Sequence, residues 1–290
     1  MSALIFGANG QDGFYLSQLL RQEGIDVVAV SRTPGGIQAD VADYAAVESL
    51  IKTHRPEYVF HLAARSTTRH DALFENHAAI STGTLNIFES VKKHSPATKV
   101  FISGSGLQFR NEGHPIRETD PFDARDAYSV SRIHSVYATR YYRGLGIRGY
   151  IGYFFNHDSP RRSEHHMTKM ISEAALRIGA GSKETVAIGD IGAIKEWTFA
   201  GDVVKGIWTL VQQDSITEAN IGSGEGHSIG EWVEACFALA GKDWREYVVK
   251  KDGFTPDYRQ LVSDSSRIFS LGWRPAVSFQ QLARMMMTKP

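Results

Sequence analysis

Three groups of residues in this sequence have the types and spacing to do chemistry. Tyr128 and Arg132, in Tyr128-Ser129-Val130-Ser131-Arg132, stand four apart, so a helix puts a phenol and a guanidinium on one face. A cation beside the phenol stabilises phenolate, the form needed for proton transfer to and from an alkoxide. By itself such a pair is weak, because most pairs of this kind on helices are packing and solvation. Upstream, Ser103-Gly104-Ser105-Gly106 ends an apolar run and offers hydroxyls that can hydrogen-bond a developing oxyanion. The second group is Gly7-Ala8-Asn9-Gly10-Gln11-Asp12-Gly13, which follows one apolar run and opens a helical one. Glycines there permit positive φ and let a pyrophosphate approach the helix N-terminus. The third is Arg32, in Val30-Ser31-Arg32, where a protein specific for NAD carries an acid for the ribose hydroxyls. Arg32 fits a 2′-phosphate, which favours NADP(H) over NAD(H); the alternative is a solvated loop cation.

These groups need a frame. Leu4–Phe6, Val27–Val30, Val59–Leu62, Val100–Ser103 and Tyr150–Phe154 are short apolar runs of the kind buried on both faces of a sheet. Between them Phe14, Leu16, Leu19 and Leu20, then Val47, Leu50 and Ile51, then Leu85, Phe88 and Val91 recur at helical spacing. Strand alternating with helix predicts an α/β fold with a doubly wound parallel sheet. In that frame Asp40-Val41 would sit by the adenine, and Leu62-Ala63-Ala64 would end the fourth strand with small residues where the cofactor passes. After about residue 155 the alternation fades and Gly179-Ala180-Gly181-Ser182 and Ile221–Gly226 punctuate shorter segments. The expectation is a dinucleotide-binding Rossmann domain over 1–155 and a smaller C-terminal substrate-binding lobe over 156–290, with some segments returning to the first domain.

Composition sets outer limits. At 290 residues, 42% apolar and 22% charged, the chain can bury a full core, which excludes a disordered or fibrous protein. Lys plus Arg balances Asp plus Glu at 32 each, so no overall field favours nucleic acid or an anionic membrane. Cys236, the single cysteine, sits among Ala235, Phe237 and Leu239 and reads as a buried helical thiol. The run from Met1 into the glycine turn, with no long uncharged apolar stretch, is read as a cytoplasmic protein with no membrane association. His165-His166 with Glu164 is the densest group of metal-binding types, but adjacent histidines on a helix diverge, so no metal is expected. Tyr137, Tyr141 and Tyr142 near Arg140 and Arg143 are read as helix-packing surface in preference to a nucleic-acid platform.

The order of glycine turn, serine-rich strand end and Tyr-x-x-x-Arg resembles the Ser/Thr, Tyr, Lys site of the extended short-chain dehydrogenases/reductases. Within the NAD-dependent epimerase/dehydratases, Phe155-Asn156-His157-Asp158-Ser159-Pro160-Arg161-Arg162 resembles the string that GDP-mannose 4,6-dehydratases carry after the sixth strand. Gly10-Gln11-Asp12-Gly13, Met167-Thr168-Lys169-Met170-Ile171, Lys195-Glu196-Trp197 and Leu271-Gly272-Trp273-Arg274-Pro275 extend the similarity over nearly the whole chain. The resemblance implies a nucleotide-sugar substrate, GDP-linked, and a homodimer formed through the Tyr128 helix and the helix around Leu85–Val91. It implies that Asn156 hydrogen-bonds a sugar or phosphate oxygen, that Arg161 and Arg162 face a diphosphate with Lys169 and Lys195 as further candidates, and that Ser103 belongs to the cofactor site with Tyr128 and Arg132. For the two arginines, plain surface charge is the alternative.

The pattern breaks where elimination would be done. A 4,6-dehydratase uses a Thr and a Glu two residues apart just after the fifth strand. One register places Ser105 and Leu107 there, the other Gly104 and Gly106, and neither supplies a carboxylate. The usual Lys is Arg132, whose fork cannot sit on a ribose as an ammonium does. Keeping Tyr128 and Ser105 without elimination leaves hydride transfer, so a reductase of a 4-keto-6-deoxy sugar nucleotide is preferred. The alternatives are a GDP-mannose 4,6-dehydratase that recruits another acid, such as Glu112 or a histidine, and a non-catalytic homologue that binds nucleotide sugar. The stretch Lys251–Arg259, where related enzymes close on the nucleotide, departs from their pattern.

Overall fold

Alternate side chains of the first strand face two different cores. In the computed structural model, which describes residues 1–254 and 258–288, Ala3 and Ile5 of β1 (Ser2–Phe6) pack with Leu16 and Leu20 of α1 (Gln11–Gln22). Leu4 and Phe6 pack instead with Val47 and Ile51 of α2 (Tyr44–His54). A strand buried on both faces requires helices on both sides. β2 (Asp26–Ser31), β3 (Ile37–Gln38), β4 (Tyr58–His61), β5 (Lys99–Ser105) and β6 (Arg148–Phe154) extend the sheet. Four short strands follow, β7 (His157–Asp158), β8 (Val186–Ile188), β9 (Ile194–Lys195) and β10 (Thr198–Phe199), before β11 (Glu218–Ile221) returns to it. The seven strands lie in the order β11-β6-β5-β4-β1-β2-β3, all pairs parallel. Strand order reverses between β1 and β4, and the crevice beyond the carboxyl ends of those strands is where such sheets take ligands.

Two helices set the reacting side. The segment α3 (Leu73–Asn76) runs through a π-helical turn, His77–Thr82, into α4 (Gly83–His94). At that turn the Ile80 carbonyl accepts from Thr84 Oγ1 at 2.7 Å and from Ser135 Oγ at 3.2 Å, which ties α4 to α5 (Ala127–Gly144). Asp126 caps α5, its Oδ1 accepting from the N–H groups of Tyr128 and Ser129 at 2.8 Å each. The cap fixes the first turn of that helix, and with it Tyr128.

A separate core collects the later elements. Ile171 and Ile178 of α6 (Met167–Gly179) meet Trp232, Cys236 and Phe237 of α8 (Ile229–Leu239) and Leu282 and Met286 of α10 (Phe279–Met286). Trp197 stacks on Trp232 with ring centroids 4.7 Å apart. Cys236 is fully buried in α8, and burial pushes its thiol far above the ordinary range. α7 (Ala200–Val211) returns to the sheet beside α1, and α9 (Ser266–Ser270) leads to Trp273 in the same core. Asp202 of α7 accepts from the N–H groups of Ala276 and Val277 at 2.8 Å each, locking the Leu271–Pro275 run to the sheet. His165 and His166, expected on a helix, lie in the turn before α6, with His166 at its N-cap, because the first turn of α6 starts at Met167. Among the described residues no helix is long and apolar enough to cross a membrane.

Candidate active site

The glycine turn is shaped by contact. Gly7 has φ +90°, and a Cβ there would lie 2.7 Å from the Ala63 nitrogen; a Cβ on Gly13 would lie 2.3 Å from the Gly7 carbonyl oxygen. Backbone therefore packs on backbone at the end of β1, which side chains at Gly7 or Gly13 would forbid. Gly10 caps α1 without a side chain, and the helical ladder begins with Phe14 N donating to Gly10 O at 3.0 Å. The N–H groups of Gln11, Asp12 and Gly13 precede that ladder, at the positive end of the helix. This cradle fits a dinucleotide pyrophosphate, and the small residues Ala63 and Ala64 flank it.

The polar side chains of the turn have partners in the protein. Asn9 Nδ2 faces Ser31 Oγ at 2.7 Å, Thr33 Oγ1 at 2.8 Å and the Pro34 carbonyl at 2.9 Å, which holds the loop after β2 against the turn. Asp12 Oδ1 lies 3.0 Å from His157 Nε2, and Ser159 Oγ donates to Gln11 Oε1 at 2.8 Å. Burial acts to raise the Asp12 carboxyl, but His157 outweighs it and the carboxyl sits below its ordinary range. Burial likewise acts to lower His157, and Asp12 reverses the direction, so the imidazole is raised. His157 thus offsets a carboxylate that would repel a pyrophosphate. At the end of β2, Arg32 Nη2 pairs with Glu75 at 3.3 Å. Asp40 accepts from Ala42 N at 2.9 Å, and the Val41 side chain is buried in the sheet core.

On the reacting side, the Arg132 guanidinium lies 4.9 Å from the centre of the Tyr128 ring, so the two share a face as their spacing requires. Arg132 is buried and its Nη1 donates to the Ser103 carbonyl and, at 2.8 Å, to Ser103 Oγ. Its Nε has no partner among the described residues. His61 lies beside it; burial first, and the Arg132 charge second, push the imidazole down to about 4, so it is neutral at physiological pH. Ser105 Oγ accepts from Leu107 N at 3.2 Å and caps the short turn Gly106–Gln108, leaving its hydroxyl proton free to donate.

The family positions for the eliminating pair are filled by neighbours. A Cβ on Gly104 would lie 2.6 Å from the Tyr153 ring, and one on Gly106 would lie 2.8 Å from the Phe155 ring. In the other register Ser105 is a cap, and Leu107 packs with Phe109, Tyr153 and Phe155. Glu112, the candidate substitute acid, is exposed and lies 3.6 Å from His114.

The Asn156–Arg162 string runs from the end of β6 through β7, back against α1. Asn156 Oδ1 is buried and has no partner among the described residues, an unsatisfied acceptor of the kind a ligand completes. Arg161 covers the Phe14 ring at 3.8 Å, and Arg162 pairs with buried Asp158 at 3.1 Å. Lys169 is buried and paired with Glu173 at 2.8 Å. Lys195 stands 5.4 Å from the Tyr258 ring and lines a cavity of 360 Å³ with Met167, Met170, Ile188, Phe254 and Tyr258. Of the Lys251–Arg259 stretch, residues 255–257 lie outside the described residues. The structure thus gathers Tyr128, Arg132 and Ser103 into one cluster and pairs two of the four basic candidates, Arg162 and Lys169, with carboxylates of the protein. Sequence reasoning missed Glu75, His157 and the aromatic rings at Tyr153 and Phe155. The string containing His157 stands out in the sequence, but nothing in it points to Asp12, 145 positions away.

The sequence model of the family described as GDP-mannose 4,6 dehydratase matches residues 4–286. The chain belongs to that family. It is 30% identical over 317 residues to GDP-mannose 4,6 dehydratase 2 of Arabidopsis thaliana, covering 98% of this chain and 85% of that one. In fold it is similar to UDP-glucose 4-epimerase of Thermus thermophilus, solved with NAD, at TM-score 0.84 and 23% identity over 99% of this chain and 98% of that one. It is similar also to RMD of Pseudomonas aeruginosa, solved with NADPH, at TM-score 0.88 and 19% identity over 99% and 97%. The fold is that of the extended short-chain dehydrogenases/reductases, and the family is one of enzymes that modify nucleotide-linked sugars.

Proposed function

We propose that the protein is an NADP(H)-dependent reductase of a 4-keto-6-deoxy sugar nucleotide, GDP-linked and derived from GDP-mannose. One observation carries the preference for reduction over dehydration: neither register supplies a carboxylate after β5, and the Tyr153 and Phe155 rings occupy the space beside Gly104 and Gly106, the pair of one register. Without a carboxylate there, the proton transfers of elimination lack their group. A nicotinamide dinucleotide would be held by the glycine turn and Arg32 and would supply the hydride for sugar C4. Tyr128 delivers the proton to the oxygen that becomes a hydroxyl, Ser105 hydrogen-bonds that oxygen, and Arg132 holds its positive charge against the Tyr128 ring throughout. Asn156 supplies an acceptor, unpaired among the described residues, for a sugar hydroxyl, and Arg161 or Arg162 would face the diphosphate, with Lys169 and Lys195 as further candidates.

Residues 1–155 would serve the cofactor and 156–290 mainly the substrate, with the Lys195 cavity taking the base. A homodimer through α4 and α5 is supported by the exposure of Leu85, Val130, Tyr137 and Tyr141 on those helices. A cytoplasmic location goes with this reading. The test is incubation of the purified protein with GDP-mannose and, separately, with GDP-4-keto-6-deoxymannose plus NADPH, following product mass and nicotinamide absorbance. NADPH oxidation with the keto sugar alone is expected. Loss of water from GDP-mannose would establish the dehydratase instead, which the family match favours. Binding without turnover of either would establish a non-catalytic homologue.

A further inference from the structure

Two arginines from different strand ends converge on one carboxylate beside the cofactor cradle. Arg32 follows β2 and Arg65 follows the Leu62–Ala64 run after β4; Arg32 Nη2 lies 3.3 Å from Glu75 Oε1 and Arg65 Nη1 lies 2.7 Å from Glu75 Oε2. Each guanidinium side chain is 57% exposed, so an exposed ion pair of this kind contributes little to stability. Two cations and one anion leave a net charge of +1 at the mouth of the glycine turn. Arg69, the next cation along, is already paired with Asp71 at 2.5 Å. The loop that carries Arg32 is fixed by Asn9, through Ser31, Thr33 and Pro34, and by Gln38 Nε2 donating to the Arg32 carbonyl at 2.9 Å. The backbone from which Arg32 projects is therefore anchored directly to the pyrophosphate cradle. A forked pair of guanidiniums held on one carboxylate is arranged equally for a phosphate monoester, which carries more charge and more acceptor oxygens.

Resting on the NADP(H) reading above, we propose that Arg65 is a second 2′-phosphate residue and that Glu75 is the internal anion exchanged for that phosphate. Arg32, Arg65 and Glu75 together then set the preference for NADP(H) over NAD(H). Glu75 competes with the phosphate for the same two forks and repels it when displaced, so removing its charge strengthens phosphate binding. NADH lacks the 2′-phosphate and is indifferent to all three side chains.

The experiment is titration of the whole protein with NADPH and with NADH, read by nicotinamide fluorescence, for wild type, Arg32→Gln, Arg65→Gln and Glu75→Gln. The expected results are tighter binding of NADPH than NADH by wild type, a loss of about tenfold in NADPH affinity for Arg65→Gln, and a gain of about threefold for Glu75→Gln. NADH affinity stays within about twofold in every variant, which also shows that each variant is folded. If Arg32→Gln abolishes the preference while Arg65→Gln and Glu75→Gln leave both affinities unchanged, the Arg65–Glu75 pair is a structural staple and this inference fails alone. If wild type binds the two dinucleotides equally, the NADP(H) reading fails and the inference with it.

Discussion

The two ends of the active crevice are shaped by different kinds of contact. At the glycine turn the geometry is set by backbone packed on backbone: a Cβ at Gly13 would sit 2.3 Å from the Gly7 carbonyl and one at Gly7 would sit 2.7 Å from Ala63 N. At the end of β5 the geometry is set by side chains: Gly104 and Gly106 leave room that Tyr153 and Phe155 fill. Backbone contacts admit almost no substitution, whereas a removed side chain can be compensated by a neighbouring ring. The cofactor end is therefore fixed by backbone contacts, and the reacting end by how side chains fill space on the same scaffold.

The sharpest test of the reacting end is Tyr128→Phe, which should lower kcat by about 10² to 10⁴. Retention of full turnover would move the chemistry away from α5. For the cofactor end, Gly13→Val should cost about 3 kcal/mol of stability and weaken dinucleotide binding, measured by thermal melting and titration. A variant that binds normally would show that the turn yields where close packing says it cannot. Gly106→Glu, an attempt to restore the missing carboxylate, should cost about 2 kcal/mol by crowding Phe155 and yield no water loss from GDP-mannose by mass. Dehydration by that variant would mean that the ring moves aside.

The smallest effect concerns pH. Glu196 is buried against Ser263, and burial, opposed by the Ser263 hydroxyl and N–H, pushes its carboxyl up to about 7. A raised carboxyl favours the protonated folded state, so its contribution is full below the ordinary value of 4.5 and is lost as pH rises through about 7. Wild type should lose about 3 °C of Tm between about pH 5 and pH 8 relative to Glu196→Gln, in which this slope is absent. An equal slope in both proteins would assign the loss to other groups.

Much of the frame was legible before any coordinate. The apolar runs of β1, β2, β4, β5 and β6 and the helical spacing of α1, α2 and α4 carry their own burial pattern, since each run is long enough to have faces. Tyr128 and Arg132 were legible as a pair because a helix fixes i and i+4 on one side. The roles of the polar side chains in the glycine turn were less legible. Asn9, Gln11 and Asp12 are expected beside the cofactor, and the contacts of their side chains with Ser31, Ser159 and His157 come from the fold. The basic residues after Asn156 look alike in sequence, and folding separates them: Arg162 meets Asp158, Lys169 meets Glu173 and Arg161 covers Phe14.

By itself the sequence determined what is local or periodic: the parallel alternation, the glycine turn, the helix face shared by Tyr128 and Arg132, and the lack of a carboxylate from Gly104 to Leu107. Tertiary structure alone decided which charges cancel, from His157 on Asp12 to the two arginines on Glu75, and what fills the space a missing side chain leaves. The reason is that periodicity and backbone freedom belong to neighbours in the chain, whereas charge pairing and close packing depend on distances between residues that the chain order leaves far apart.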